Sequence, residues 1–102
     1  MISLYIDTTS RKQIVIKLKH GNKEKIIKKK LVKSSQAVLP LIEKMLTADK
    51  LEIKNLDEVW INAGPGSYTG IRVGLSIANS LSYLLKIPIN HKALGEIAPI
   101  YK

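Results

Sequence analysis

The sequence predicts an α/β domain in the order β-β-β-α-β-α-β, a mixed sheet with helices packed on it. Three observations carry that prediction. The first third of the chain alternates apolar and polar residues with period two. Two later stretches, Leu39 to Thr47 and Thr69 to Leu85, repeat their apolar residues with helical period. An apolar run, Val59 to Ala63, lies between them.

Taken in order, Ile2 to Ile6 reads as a short strand that ends in "DTTS", a turn whose side chains hydrogen-bond their own backbone. Gln13 to Lys19 puts Ile14, Ile16 and Leu18 on one face. "HGN" at His20 to Asn22 is a tight turn. Lys23 to Val32 resumes extended structure and completes an antiparallel meander. Ser34 or Ser35 caps a first helix that runs to about Thr47. Pro40 falls inside that stretch, so the helix either starts nearer Leu39 or bends there. After the polar connection "ADKLEIKNLDE" comes a strand at Val59 to Ala63, then a helix from Thr69 to Leu85. Pro88 ends that helix, and Pro88 to His91 reads as a fifth strand.

Composition narrows the function. A chain of 102 residues is expected to form one domain, 1–102, and to bury only roughly two-thirds of its unfolded surface. With no cysteine there is no disulfide, thiolate metal site or thiol nucleophile. The N-terminus "MISLYID" reaches an aspartate at once and no apolar run has the ~20 residues of a membrane helix, so a cytoplasmic, soluble domain without a membrane partner is expected. Net charge is +9, with 15 lysines against two arginines, and nine of the lysines fall between Lys12 and Lys33. Lysine is the solubilising residue of strand edges. Arginine forks are nearly absent and no aromatic interleaves with the run, so the expectation is weak, indirect contact with RNA rather than specific recognition.

The distinctive stretch is "GPGSYTGIR", Gly64 to Arg72. It is not a Walker loop, because Gly64 and Gly70 are one residue too far apart and Ile71 stands where lysine belongs. It is not a nucleophile elbow either, since Pro65 and Thr69 flank Ser67 where glycines are required. As a corner it makes sense. Gly64 and Gly66 allow unusual backbone angles, Pro65 stiffens the turn, and Ser67 or Thr69 caps the next helix. Arg72 in the first turn opposes the helix dipole, so a carboxylate, a partner or an anion is expected to favour it there.

The second helix carries no charge from Val73 to Leu85. Its apolar residues cover roughly 200° of the wheel, against a stripe of a little over ~100° on an ordinary surface helix. Arg72, Ser76, Asn79, Ser80 and Tyr83 occupy the rest. The first helix, with Ala37, Val38, Leu39, Leu41, Ile42, Met45 and Leu46, is nearly as apolar. Two such helices imply a second buried face, and a partner interface is expected over Val38, Leu41, Ile42, Met45, Leu75, Ser76, Asn79, Ser80 and Tyr83.

"GPGSYTGIRVGLSIANSL" preceded by "LDEVWINA", with "LYIDTTS" at the start and "VLPLIEKML" between, resembles the TsaB family. The resemblance covers about Ile2 to Ile100, and its signature residues here are Gly64, Pro65, Gly66, Ser67, Tyr68, Thr69, Gly70 and Arg72. It implies the N-terminal half of an actin-like, RNase H-like (ASKHA) fold. It also implies a non-catalytic subunit of the system that makes N6-threonylcarbamoyladenosine in tRNA. Family members pair with the catalytic paralogue TsaD through their helices. A TsaE-like ATPase docks at the dimer junction, and tRNA is reached indirectly. ATP and threonylcarbamoyl-adenylate serve the wider system, so the resemblance implies no cofactor and no metal bound by this chain alone. Asp7, Thr8 and Thr9 match the first phosphate loop of the fold but lack its usual glycine, a vestigial turn. Ser34 stands where many relatives have histidine, and neither helix carries the paired histidines of the metal-binding paralogue. The second actin-like half is expected to be absent, and with it the nucleotide cleft. Two alternatives to the scaffold remain: a homodimeric binding module using the same helices, and a metallopeptidase-like enzyme.

Overall fold

The computed structural model describes residues 1–30 and 34–90. Strands β1 (Ile2–Asp7), β2 (Gln13–His20) and β3 (Lys23–Lys30) form the meander. Helix α1 (Ser34–Ala48), a short 3-10 turn (Ile53–Asn55), strand β4 (Glu58–Ile61) and helix α2 (Tyr68–Leu85) follow. The sheet order is β3-β2-β1-β4, with β1 antiparallel to β2 and parallel to β4. Register follows the side-chain alternation. Leu4 faces Leu18 and Val59, and Ile6 faces Ile16 and Ile61, so one side of the sheet is continuously aliphatic.

Both helices lie on that side, α1 over β2 and α2 over β4 and β1. Helix α1 contributes Val38, Leu41, Ile42, Met45 and Leu46, the i, i+3, i+4, i+7, i+8 stripe of an amphipathic helix. Helix α2 contributes Ile71, Leu75, Ala78 and Leu81. Each aliphatic side chain fully buried there stabilises the fold by about 1.5–3 kcal/mol relative to exposure. Strand β3 is exposed at six of its eight residues, and its lysines keep this edge from pairing with another chain.

Two local expectations change. Helix α1 runs through Pro40 from Ser34, and Pro40 is exposed, so the proline ring points away from the core. The residue before Ser34, where its cap would sit, lies outside the described residues. The fifth strand shrinks, within the described residues, to one parallel bridge between Val59 and Ile89. The reason is local. Lys86 closes α2 in the left-handed conformation, and the Ser82 hydroxyl donates to the Ile87 carbonyl at 2.6 Å. That brings Pro88 to Asn90 alongside β4. There the Asn90 amide takes over the ladder, accepting from Ile61 N at 2.8 Å and donating to Ile61 O at 3.1 Å. His91 lies beyond the described residues.

Candidate functional site

The signature loop leaves β4 and folds back on the turn that follows β1. Asn62 N donates to Ile6 O at 3.0 Å, extending the parallel ladder by one residue, and Ser67 N donates to Thr9 O at 2.7 Å. The Thr8 hydroxyl, fully buried, donates to the Gly70 carbonyl at 2.6 Å. Gly64 has φ +114, a conformation a residue with a Cβ rarely adopts, and the Gly64–Pro65 bond is cis. Ser67, not Thr69, caps α2, accepting from Gly70 N at 3.3 Å. The helix therefore begins at Tyr68.

Gly66 is needed for a different reason from the one its sequence suggests. Its φ is not positive; instead a Cβ there would sit 2.6 Å from the Thr9 carbonyl oxygen. A Cβ on Gly70 would overlap the Thr8 carbonyl oxygen, and one on Gly74 would overlap the Thr8 hydroxyl and lie 2.8 Å from Ile61 Cδ1. Gly66 in the loop and Gly70 and Gly74 on the helix, spaced four apart, thus leave a bare strip against which Thr8 and Thr9 pack.

The Asp7–Thr8–Thr9 turn is consumed by this arrangement. The Asp7 carboxylate accepts from Thr9 N at 2.9 Å, from the Thr9 hydroxyl at 2.7 Å and from the Asn62 amide at 3.2 Å. Where a phosphate loop would aim donors at an anion, this turn aims them at its own aspartate. Arg72 donates to the Tyr68 hydroxyl at 2.8 Å and lies 5.4 Å from that ring's centre, so an aromatic neighbour one turn back holds it against the dipole.

The helix residues expected to meet a partner divide. Val38, Leu41, Ile42, Met45 and Leu75 are at most 8% exposed and belong to the chain's own core. The wide arcs hid this, because a wheel gives spacing but not which edge of an arc faces the sheet. Ser76, Ser80 and Tyr83 are exposed and Asn79 is half-buried. The apolar residues left open on the two helices are others: Leu39, Leu84 and Tyr68, besides Tyr83. Leu84 falls within the apolar arc of the wheel, between Val73 and Ile77, and its 73% exposure was not read from the sequence.

The opposite face of the sheet carries no described helix and holds a feature that sequence reading missed. Tyr5 and Trp60 are partners on adjacent strands, and the Lys17 ammonium lies 5.4 Å from the Tyr5 ring centre. Aromatics do interleave with the lysines, but they come from strands far away in sequence. Burial first, then the Asp7 carboxylate, pushes the Tyr5 hydroxyl above its ordinary pKa. Among the described residues no group of three or more His, Cys, Asp or Glu side chains is placed to hold a metal ion. No described helix is long and apolar enough to cross a membrane.

The sheet, the helix pair on one face and the loop locked to the first turn define an actin-like α/β half. The family model for TsaD, described as tRNA N6-adenosine threonylcarbamoyltransferase, matches residues 28–91, more than half of the chain. The chain belongs to this family, on its TsaB side. Over 52 residues it is 50% identical to the tRNA threonylcarbamoyladenosine biosynthesis protein TsaB of Buchnera aphidicola subsp. Schizaphis graminum, covering 51% of this chain and 25% of the relative. Over 86 residues it is 31% identical to TsaB of Haemophilus influenzae, covering 84% of this chain and 36% of the relative. The solved structure of YeaZ from Pseudomonas aeruginosa superposes with a TM-score of 0.82 at 21% identity, covering 87% of this chain and 43% of that one. This likeness concerns the fold. The matched stretches span only a quarter to a little over a third of these curated relatives.

Proposed function

We propose that the chain is a non-catalytic scaffold in the biosynthesis of N6-threonylcarbamoyladenosine in tRNA, pairing with a TsaD-like catalytic paralogue through the outer face of its helices. The observation that carries this reading is the surface of α2. Tyr83 and Leu84 are 79% and 73% exposed, beside small Ser76 and Ser80 on a helix with no charge after Arg72. An uncharged, partly apolar helix face in a chain of net charge +9 supports a contact surface, because interface cores are depleted of charge and enriched in aromatic side chains. The closed Asp7–Thr8–Thr9 turn supports the non-catalytic part, because its donors are engaged internally. The relatives' names supply the pathway. In this reading a TsaE-like ATPase meets the pair at the junction. ATP, threonylcarbamoyl-adenylate and tRNA are then handled by the assembly rather than by this chain.

The test is to mix the purified chain with the TsaD-like paralogue of the same cells and measure mass by light scattering after gel filtration. A one-to-one complex is expected. Separate elution would overturn the reading. A self-dimer that persists in the presence of the paralogue would assign the same face to a second copy instead.

A further inference from the structure

We infer that the basic corner where β2 begins and β3 ends grips the phosphate backbone of a double-helical RNA without reading its bases. The choice of RNA among polyanions rests on the proposed tRNA pathway, while the corner itself rests on the strand register. Gln13 pairs with Lys30, Ile14 with Lys29 and Val15 with Lys28, and Arg11 and Lys12 immediately precede Gln13. Three consecutive lysines of one strand thus lie beside an arginine and a lysine that lead into its neighbour, about 5 Å away. Lys28 and Lys30 stand on the open face of the sheet and Lys29 on the helix face, so the charge wraps the edge. All five residues are exposed, and none of them takes part in the Lys25–Asp49 or Lys54–Glu52 ion pair.

Charge is sorted along the strands. At their other end Glu58, Ser3, Lys19 and Glu24 are successive register partners, so the carboxylates of β4 and β3 share that row. Lys19 is four residues from Val15 along β2, about 13 Å at the strand rise, which exceeds the ~8 Å screening length at physiological salt. Asp7 shares the row of Val15 and Lys28, two strands from the lysine, and its carboxylate already accepts from Thr9 and Asn62. Residues 31–33 and 91–102 add three lysines and one glutamate to the sequence, so they leave the excess positive. Lysine ammoniums are compact point charges, and contacts of this kind hold phosphates without carrying sequence information. Among the described residues no aromatic shares a row with Lys28, Lys29 or Lys30, so the corner lacks the stacking platform of a single-strand binder. A duplex, with dense phosphates on its outside, fits this chemistry.

The full chain is titrated into a labelled RNA hairpin with a stem of about sixteen base pairs, and anisotropy is read between about 50 and about 200 mM salt. Engagement of all five cations corresponds to a slope of log affinity against log salt of about −4.5, a roughly 500-fold loss across that range. A slope steeper than about −2 is expected, and a shallower one, or no binding, would overturn the proposal. Lys28→Gln, Lys29→Gln and Lys30→Gln together should make the slope shallower by about 0.9 per lysine. Lys44→Gln, Lys50→Gln and Lys86→Gln together remove the same charge from exposed positions elsewhere and should change the slope less. An equal or larger change in this second variant would overturn the proposal, since net charge alone would then hold the RNA. So would tighter binding to phosphatidylserine vesicles or to poly-glutamate than to the hairpin, which would assign the corner to a membrane or to an acidic protein. The wild-type slope needs no variant and decides the matter even if a substitution impairs folding. The light-scattering test of pairing contains no RNA and this titration contains no paralogue, so each reading can fail alone.

Discussion

The Thr8 hydroxyl donates to the Gly70 carbonyl at 2.6 Å across 62 residues of chain, and both residues are buried. This bond joins the turn after β1 to the first turn of α2. The signature loop is therefore a lock between the turn after β1 and the start of α2 rather than a cradle. Thr8→Val keeps the shape and removes the donor. It should cost about 1–3 kcal/mol, seen as a lower urea midpoint with an unchanged slope. An unchanged midpoint would mean that the lock contributes nothing.

Gly70→Ala places a methyl group against the Thr8 carbonyl, where backbone cannot yield as a side-chain end can. Overpacking of this kind costs typically 1–3 kcal/mol. Gly21→Ala is the comparison. Gly21 has φ +62 but nothing within 4 Å of the added carbon, so only the left-handed conformation is penalised, by about 1–2 kcal/mol. Thermal melts of the two variants should put Gly70→Ala lower. The reverse order would show that the loop can move away from α2.

Asp49 and Lys25 form an ion pair that ties the end of α1 to β3. The hydrogen bond from Lys25 holds the Asp49 carboxyl below its ordinary 3.8, helped by the charges of Lys25, Lys23 and His20 and opposed by desolvation. A carboxyl whose pKa is lower in the folded state stabilises fully above its unfolded value, and that stability is lost as pH falls through the folded one. Wild type and Asp49→Asn should therefore differ most in melting temperature near neutral pH and converge below about pH 4. A difference that grows on acidification would contradict this assignment.

The meander was legible because Ile14, Ile16 and Leu18 alternate strictly, and the start of α2 because serine, glycine and proline mark a corner. What the glycines pack against was not legible, since Thr8 and Thr9 are some 60 residues away and no local rule links them. The helices' inner faces were legible only in part. Val38, Ile42 and Met45 fit the apolar arc equally well turned toward the sheet or toward a partner, and only the position of α1 over β2 decides. The row of Trp60, Tyr5 and Lys17 was invisible for a similar reason, because strand order, not sequence order, brings it together. Of the expected fifth strand, the described residues show the bridge at Ile89, after which the Asn90 side chain makes both bonds to the Ile61 backbone, a contact no strand pattern encodes.

If the outer face of α2 is a contact surface, Ser80→Lys is the substitution that shows it. Ser80 is exposed, and lysine is a good helix former, so the fold should be kept. A complex with the TsaD-like paralogue would bury on the order of 800 Å² per chain. An unpaired ammonium inside that contact should cost several kcal/mol of association. The measurement is the mass of the mixed proteins by light scattering, beside a thermal melt of the variant alone. Lost complex with an unchanged melt is the predicted result. A complex of full strength would show that this face meets water and is no contact surface.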